Sequence, residues 1–557
     1  MKKILFIIAI ILSIFLVGCM RYEEDENKFT FVFELNENKE MEIKEMYSWK
    51  KTKDIIIPEQ YQGYPVTRIA DEAFKGMPII TVTMPDTITY IGESAFEDCE
   101  HLRKIYISKG VDTIQKNTFK NCFSLNEIEL PDTLKQINDS AFNDCKMLTS
   151  INLPESIESI GKFAFFDCTF LSTINIPNNI KVINESTFEL CTHLETVVLP
   201  ERLTTIHNRA FNNCMSLKNI NFPSTLQAIF ENAFESCYAL EEVNFPSSLT
   251  SIGDSAFQSC ALKGKIIIPE NVTKINEKSF YNCSEITEIE LPDALVKIGN
   301  SAFAYCTNLE DVVFPNTLEV IGYGAFMRCS ALTKIEIPES VVGLGDLIFA
   351  ECVSLEEVVI NGLARIVSDK MFMDCTNLKT VVLGDNITNI QNSAFANCIN
   401  LETIIFPETL LQIREGAFAF CESLKEIYIP ASVKLIEIGA FKGCKNVTSI
   451  IVHENNIYYD SRKNCNGLIH TRENMLMLGC KTTIIPKTVT KIQSYAFINI
   501  DDLFKLYLHQ NISVVKHYAF YNCNNLIIYY EGSSIPSTWE KLWCTEEVQI
   551  VFNVKQN

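Results

Sequence analysis

Phenylalanine recurs in this 557-residue chain with a fixed period of 23 residues. The unbroken run is Phe96, Phe119, Phe142, Phe165, Phe188, Phe211, Phe234, Phe257, Phe280, Phe303, Phe326, Phe349, Phe372, Phe395, Phe418 and Phe441. A cysteine follows each of these residues three positions later, from Cys99 to Cys444. Self-similarity at a fixed period of this size is typical of solenoids, in which each repeat packs on its neighbours. The chain is therefore expected to fold as a stack of similar rungs.

The unit at 131–153 reads PDTLKQINDSAFNDCKMLTSINL and contains two extended pieces. Ile151 and Leu153 alternate with polar residues, which predicts a strand. The proline that opens the unit ends the preceding strand, where a missing amide hydrogen is tolerated. Leu134 and Ile137 predict a second, short strand on the opposite side of the coil.

The remaining apolar residues of the unit have helical spacing. Ala141, Phe142, Cys145 and Leu148 lie three or four residues apart, so one helical turn is expected in each rung. A single unit cannot bury this many apolar side chains, but stacked units cover one another and form parallel sheets. The predicted fold class is an α/β repeat solenoid with a parallel sheet, a short second strand and a one-turn helix in each 23-residue rung.

The phenylalanine and cysteine positions are interpreted as a structural ladder, exemplified by Phe142, Cys145, Phe165 and Cys168. Seventeen of the 21 cysteines occupy one equivalent position, where parallel Cβ directions on successive rungs suit a disulfide poorly. We expect buried thiols that donate weakly to backbone carbonyls. No metal site is expected, since the chain has only 7 histidines and the cysteines lack C-x-x-C pairs.

The first residues form a targeting segment. Lys2 and Lys3 precede an apolar stretch over 4–17 that is too short to span a membrane, so 1–18 is predicted to be a signal peptide. Its end, Leu-Val-Gly-Cys, resembles the bacterial lipobox, which implies cleavage before Cys19 and lipidation of that cysteine. Residues 19–28 then form an acidic tether.

The repeat pattern L-x-x-I-x-I-P-x-x-L-x-x-I-x-x-x-A-F-x-x-C resembles the BspA-like leucine-rich repeat family of bacterial surface proteins. The resemblance covers nearly all of 55–530, and it implies a right-handed leucine-rich-repeat coil. The segment IIYYEG at 527–532, followed by Trp539, is similar to the family's closing segment. Members are implicated in adhesion, so the resemblance implies partners among host matrix proteins, host cell-surface proteins or surface proteins of other microbes.

The domain organisation follows from the repeats and their interruptions. We expect a signal peptide (1–18), an acidic tether (19–28), an N-terminal cap (29–65), a leucine-rich-repeat array (66–452), an inserted hairpin module (453–485), further repeats (486–530) and a C-terminal cap (531–557).

The insertion separates Phe441 from Phe497 by 56 residues and resembles a hairpin module that recurs in the same family. It contains Cys465 and Cys480, which either form a disulfide or are two buried thiols. It also brings Asp460, Cys465 and His470 close in sequence, and a thiol nucleophile needs an adjacent base and an orienting third group. Such proximity is common in a chain of this length, and no P-loop, G-x-S-x-G or H-E-x-x-H motif occurs. The protein is predicted not to be an enzyme and to need no cofactor.

Composition restricts the partners. The formal net charge is -21, with 48 Lys and Arg residues against 69 Asp and Glu residues. Nucleic-acid binding requires cations that neutralise phosphates, so no nucleic-acid partner is expected.

Two columns of side chains are expected to project outward from the strands, eight and ten residues after each ladder phenylalanine. The first is polar throughout, whereas the second is mainly polar in the N-terminal half and largely apolar from Val313 onward, apart from Glu336. Contiguous exposed apolar residues mark interaction sites, although β-branched residues also favour strands and the end modules could cover them. The predicted partner-binding residues are Val359, Val382, Ile405, Tyr428, Ile451, Glu357, Thr380, Thr403 and Glu426.

The sequence favours an exported lipoprotein, anchored in a membrane on the bacterial cell surface, that mediates adhesion or recognition by binding proteins or glycans. The alternative is a structural or assembly component of the cell envelope, and the third reading is a hydrolase.

Overall fold

The computed structural model describes residues 19–23, 29–48 and 54–555, and it divides into two units, Met1–Lys263 and Gly264–Asn557. Each unit is a β-solenoid of parallel strands. A rung has three sides, which we call the front strand, the rear strand and the turn side. The predicted signal peptide (1–18) and the tether residues 24–28 lie outside the described residues.

The N-terminal part of the first unit is a mixed sheet in which β1, beginning at Cys19, is the edge strand and pairs antiparallel with β2. The strands that precede the repeats are β1 (Cys19–Glu23), β2 (Phe29–Leu35), β3 (Met41–Ser48), β4 (Asp54–Ile56), β5 (Gln60–Tyr61) and β6 (Tyr64–Ile69). Strand β6 pairs in parallel with the rear strand of the first repeat, so this sheet continues into the solenoid. Strand β4 belongs to a separate sheet and pairs in parallel with the front strand of the first repeat.

The front strands of the first unit are β7 (Thr81–Thr83), β9 (Lys104–Tyr106), β11 (Glu127–Glu129), β14 (Thr173–Asn175), β16 (Thr196–Val198), β18 (Asn219–Ile220) and β20 (Glu242–Val243). Its rear strands are β8 (Tyr90–Ile91), β10 (Thr113–Ile114), β12 (Gln136–Ile137), β13 (Ser159–Ile160), β15 (Val182–Ile183), β17 (Thr205–Ile206), β19 (Ala228–Ile229) and β21 (Ser251–Ile252). Paired residues are separated by one period of 23, as in Thr173 opposite Thr196.

The front strands of the second unit are β22 (Gly264–Ile267), β24 (Ile286–Glu290), β26 (Asp311–Val312), β28 (Lys334–Ile337), β30 (Glu357–Ile360), β32 (Thr380–Leu383), β34 (Thr403–Ile405), β36 (Glu426–Ile429), β38 (Ser449–Val452), β43 (Lys505–Leu508), β45 (Ile527–Tyr530) and β46 (Gln549–Phe552). Its rear strands are β23 (Lys274–Ile275), β25 (Lys297–Ile298), β27 (Val320–Ile321), β29 (Gly343–Leu344), β31 (Ile366–Val367), β33 (Asn389–Ile390), β35 (Gln412–Ile413), β37 (Leu435–Ile436), β42 (Lys491–Ile492) and β44 (Val514–Val515).

The core of each rung contains the ladder phenylalanine, its cysteine and the inward residues of both strands. Phe142, Cys145, Leu148, Leu134 and Ile137 are all fully buried. The phenylalanine rings of successive rungs stack, so that each ring covers the next one. For example, the ring centroids of Phe142 and Phe165 lie 5.3 Å apart with an interplanar angle of 9°. Stacking at this distance removes apolar surface from water, which is the main driving force for joining the rungs.

The predicted helical turn in each rung is wrong, because the turn side is a series of tight turns. Its backbone adopts positive φ twice, at Ser140 (54°) and Asp144 (60°), which a right-handed helix does not allow. Alternate amides, those of Ser140, Phe142 and Asp144, donate to carbonyls of the next rung, each over 2.8 Å. The amides between them close i to i+3 turns, as from Asn143 to the Ser140 carbonyl at 3.2 Å. The turn side is therefore a third ladder of backbone hydrogen bonds between rungs, beside the front and rear sheets. Its apolar side chains face the core at a spacing that resembles that of a helix.

The insertion after β38 forms β39 (Tyr459–Asp460), a 3-10 turn (Arg462–Asn464), β40 (Gly467–His470) and β41 (Met475–Gly479). These three strands pair antiparallel in chain order, and β41 then pairs in parallel with the rear strand β42. The hairpin therefore connects the rungs before it to those after it within the second unit.

In the described part of the chain, no helix has the length and hydropathy that crossing a membrane requires.

Candidate binding face

The predicted apolar column lies on the front sheets of the second unit and faces outward. Val359, Val382 and Ile405 are paired neighbours on β30, β32 and β34, and Tyr428 pairs with Ile451 on β36 and β38. Ile405 is 81% exposed, Val382 50% and Ile451 45%, while Val359 and Tyr428 are half-buried. Side chains alternate between the faces of a strand, so these residues are flanked by inward residues, all of which are buried except the half-buried Val452. The hairpin module leaves the column accessible to solvent.

The predicted polar column runs beside it on the same sheets. Glu357, Thr380, Thr403 and Glu426 are all exposed and occupy equivalent positions on successive rungs. Glu357 forms an ion pair with Lys334 of the preceding rung, with 3.5 Å between Nζ and the carboxylate oxygen. The structure therefore places all nine predicted binding residues on one face, in two parallel rows.

A third row, which the sequence analysis did not single out, contains acidic residues just past the ends of the front strands. Glu339, Asp385, Glu408 and Glu454 are exposed, and each follows an outward residue of the second column by three positions. We call these four residues the acidic row. None of them has a cationic group within 4.0 Å among the residues that the structure describes. The signal in the sequence was an acidic residue at one position of the 23-residue unit, usually after the strand-ending proline or glycine. The row is interrupted twice, because Gly362 and Ala431 occupy this position in the intervening rungs.

Acidic residues at the opposite ends of the same strands are paired. Glu356 lies 2.9 Å from the Lys379 ammonium group, and Glu402 lies 3.5 Å from that of Lys425. On one flank of the apolar column Glu356 and Glu402 are therefore neutralised by cross-rung ion pairs, whereas on the other flank the acidic row has no ion-pair partner among the described residues. Burial raises the pKa of Tyr428, and the nearby carboxylate of Glu408 raises it further. That influence reflects how close the acidic row lies to the apolar column.

Two cavities border this face. One, of about 460 Å³, is lined by Val313, Glu336 and Glu339 among others, at the end where the apolar column begins. The other, of about 540 Å³, lies where the hairpin module meets β38, and its lining includes Ile451 and Glu454. The apolar column thus runs between two recesses that each contain a member of the acidic row.

The equivalent outward positions of the first unit are mainly polar. Glu129, Asn152, Asn175, Asn221 and Asn244 are all exposed there. The difference in polarity between the two units' outward columns therefore concerns side chains that solvent reaches, and it distinguishes the face of the second unit.

The phenylalanine and cysteine ladder is buried in the core of the rungs. The Sγ of Cys145 donates to the Phe119 carbonyl and that of Cys168 to the Phe142 carbonyl, each over 3.2 Å. Burial raises the pKa of both thiols well above the ordinary value, so they stay protonated at neutral pH. These residues stabilise the rungs and take no part in a surface site.

The three residues considered for catalysis each have other partners. Asp460 accepts two hydrogen bonds from the Arg462 guanidinium and one from the Thr471 hydroxyl. The ring of His470 packs edge-on against Tyr459, with centroids 5.5 Å apart. Burial raises the pKa of Cys465, the opposite of what a thiolate nucleophile requires. The geometry therefore provides Asp460, Cys465 and His470 with structural roles.

Cys465 and Cys480 are free, buried thiols. The Sγ of Cys465 lies 3.5 Å from the Gly467 carbonyl oxygen, and that of Cys480 lies 3.5 Å from the Asn466 carbonyl oxygen. Of the two alternatives, the structure shows the pair of thiols. Across the described ranges, no group of three His, Cys, Asp or Glu side chains could hold a metal ion.

Three solved structures illustrate what the chain is similar to. A leucine-rich repeat protein from Bacteroides ovatus is 29% identical, over 77% of this chain and 94% of the other, with a TM-score of 0.45. A leucine rich cell surface protein from Faecalibacterium prausnitzii is 28% identical, over 65% and 94%, with a TM-score of 0.40. The leucine-rich repeat protein of T. pallidum is 30% identical, over 34% and 88%, with a TM-score of 0.32. The comparison with curated proteins finds no match.

The family described as "BspA type Leucine rich repeat region" matches six stretches, of which the first five overlap: residues 39–170, 112–241, 158–284, 250–379, 343–469 and 477–542. Together these stretches span nearly all of the rungs, including the apolar column and its two flanks. The chain belongs to the BspA-type leucine-rich repeat family.

Proposed function

We propose that this protein is a lipid-anchored surface protein that mediates adhesion or recognition by binding proteins or glycans on the front face of its second unit. The observation that carries the proposal is the exposed apolar column from Val359 to Ile451. Large apolar side chains in a contiguous row cost free energy in water, and such rows mark interaction sites on folded proteins. The partners are host matrix proteins, host cell-surface proteins or surface proteins of other microbes.

The scaffold suits binding better than catalysis. Leucine-rich repeats present a long row of side chains whose identity can change without disturbing the core. In this chain the core positions repeat with little variation, while the outward positions change from rung to rung. That division supports a protein whose specificity lies in its outward columns.

The anchor is the second part of the proposal. The apolar segment at 4–17 and the Leu-Val-Gly-Cys sequence support export and acylation at Cys19. Several acyl chains on one residue give stable membrane attachment. Mass spectrometry of the protein from membranes of the source cells tests this directly. A mature N-terminus other than an acylated Cys19 contradicts the anchor and leaves the binding proposal to its own test.

Adhesion of cells that display the full chain to immobilised matrix proteins and to other cells tests the binding proposal. The double variant Val382→Lys/Ile405→Lys places two charges in the apolar column and should lose most adhesion. The matched control, Asn152→Lys/Asn175→Lys, adds the same charges at equivalent positions of the first unit and should adhere normally. Both variants must retain the circular dichroism and melting behaviour of the wild type.

Adhesion by the folded Val382→Lys/Ile405→Lys variant at the wild-type level would contradict the proposed face. A wild-type chain that binds no external surface but is recovered with envelope proteins of its own cell would instead favour a role in envelope assembly.

A further inference from the structure

The asymmetry between the two flanks of the apolar column restricts what can cover it. At the start of the strands, the ion pairs Glu356–Lys379 and Glu402–Lys425 neutralise two of the glutamates. The flank at the strand ends carries the acidic row, whose carboxylates have no cationic partner in the described part of the chain. A partner that desolvates the apolar column also approaches the acidic row, so it must present cations on that side.

The spacing of the rungs restricts the shape of the partner segment. Neighbouring parallel strands lie about 4.8 Å apart, so the five residues of the apolar column span about 19 Å. Successive turns of an α-helix rise about 5.4 Å, a mismatch of about 0.6 Å per rung. Same-side residues of an extended strand lie about 6.7 Å apart and fall out of register by more than one rung over this distance. A helix lying along the column therefore matches it, and a strand does not.

We infer that the face is covered by an amphipathic helix of a partner protein, with an apolar stripe on Val359 to Ile451 and a row of Lys or Arg along the acidic row. The inference rests on the proposed function, since it names the partner chemistry of that same face. About 13 helical residues, between three and four turns, cover the column. The cavities at its two ends, beside Glu339 and Glu454, can receive longer side chains from the ends of such a helix.

The ion pairs set the orientation of the bound helix about its axis. Glu356 and Glu402 on one side of the column are already paired with Lys379 and Lys425, so cations of the helix on that side would gain no free carboxylate from them. Cations on the other side meet Asp385, Glu408 and Glu454. A helix with its basic row on the wrong side of the apolar stripe should therefore bind more weakly.

The experiment uses the full chain and a synthetic helical peptide of about 18 residues with a leucine stripe and an adjacent lysine row. Binding is measured by fluorescence anisotropy. A scrambled peptide of the same composition lacks the stripe, and a third peptide has glutamate in place of lysine. The designed peptide should bind the wild-type chain more tightly than either of the others.

Two charge-matched variants of the protein separate recognition from general attraction to an acidic chain. The variant Asp385→Asn/Glu408→Gln/Glu454→Gln removes three charges beside the apolar column. The control variant Asp132→Asn/Glu155→Gln/Glu201→Gln removes three charges at the equivalent strand-end position of the first unit, where exposed carboxylates adjoin mainly polar columns. We expect the first variant to weaken binding about five- to tenfold and the control to change it by less than about twofold.

Equal weakening by the two variants, or equal binding of the designed and scrambled peptides, would overturn the inference. The outcome is distinguishable from failure of the proposed function. If Val382→Lys/Ile405→Lys abolishes adhesion while the variant at Asp385, Glu408 and Glu454 leaves both adhesion and peptide binding unchanged, the face is a binding site but its partner is not a basic helix.

Discussion

The hydroxyl oxygen of Tyr459 accepts a hydrogen bond from the backbone amide of Ile436 over 2.7 Å. Ile436 ends the rear strand β37, and the rung that would pair with it next is replaced by the inserted hairpin. A side chain of the insertion thus accepts the hydrogen bond that, in the regular rungs, a backbone carbonyl of the next rung accepts. Asn466 does the same on the front side, where its Oδ1 accepts from the Ile450 amide over 2.7 Å.

Removing this hydroxyl should destabilise the junction. Tyr459 is 2% exposed, so Tyr459→Phe leaves the Ile436 amide buried without an acceptor, which costs about 1–3 kcal/mol. Hydrogen exchange at the Ile436 amide should accelerate accordingly. The neighbouring variant Tyr458→Phe, at an exposed position, is the control and should change the exchange little. Unchanged protection of Ile436 in Tyr459→Phe would contradict the assigned role.

The ladder thiols should be inert in the folded protein. Burial raises the pKa of Cys145 well above its ordinary value, and the thiolate is the reactive species. We expect no labelling of Cys145 by a thiol reagent at pH 8 over hours, and full labelling in guanidinium chloride. Ser150→Cys, at an exposed position of the neighbouring strand segment, provides a thiol that should react at once. Rapid native labelling of Cys145, mapped by mass spectrometry, would show that the rungs open readily.

Truncating a ladder ring should be far more damaging than truncating an exposed one. Phe142→Ala removes a fully buried ring that stacks on both neighbouring rungs, and such changes cost about 3–5 kcal/mol. Phe170→Ala is the matched control, because the Phe170 side chain is 43% exposed, and it should cost less than about 1 kcal/mol. Urea denaturation checks both values. Equal midpoints for the two variants would contradict the claim that the stacked Phe142 ring stabilises the fold more than an exposed ring does.

Stability near the C-terminal end should fall on mild acidification because of His509. Its Nε2 donates to the Pro486 carbonyl over 2.9 Å, while its buried Nδ1 has no hydrogen-bond partner in the described structure. Burial lowers the pKa of His509 below 6.5, because the charged ring would be desolvated there. The folded state then binds fewer protons than the unfolded state, so this contribution is complete above about pH 6.5 and is lost as the pH falls through the lowered pKa.

The variant His509→Gln should remove that dependence between pH 6.5 and 5, measured as the change of the urea midpoint with pH. His101→Gln, at an exposed histidine of the first unit, is the control and should retain the wild-type slope. A wild-type midpoint that is constant across this range would rule out the proposed proton linkage.

The sequence predicted the strands and the ladder because both depend on apolar periodicity. Alternation correctly placed Ile151 and Leu153 in the core, although this rung forms only an isolated bridge at Ser150 and no front strand. Exact recurrence placed Phe142 in the core. The helical turn was predicted wrongly because tight turns with two left-handed residues also bring every third or fourth side chain inward. Asp144, a residue type enriched at positive φ, was the available signal, and Ser140 occupies the other such position.

The apolar column was also predictable, whereas the charge of its flank was not. Glu402 and Glu408 are both exposed glutamates of the same rung, six residues apart. Only the geometry shows that Lys425 pairs with Glu402 and that Glu408 lies without a cation among the described residues. Periodicity identifies which face a residue occupies, but the partner of a long side chain depends on directions that the sequence does not contain.

The stacked thiols have a consequence for how the chain reaches its native state. Every ladder cysteine is a buried thiol in the finished solenoid, yet in the unfolded chain each one is exposed to oxidants and to the others. The described structure contains no native disulfide that exchange could lead to. Each disulfide that forms before folding is therefore non-native and must be reduced again. In an oxidising compartment, the rungs therefore have to fold faster than the thiols oxidise. The yield of native protein is set by the ratio of the folding rate to the oxidation rate.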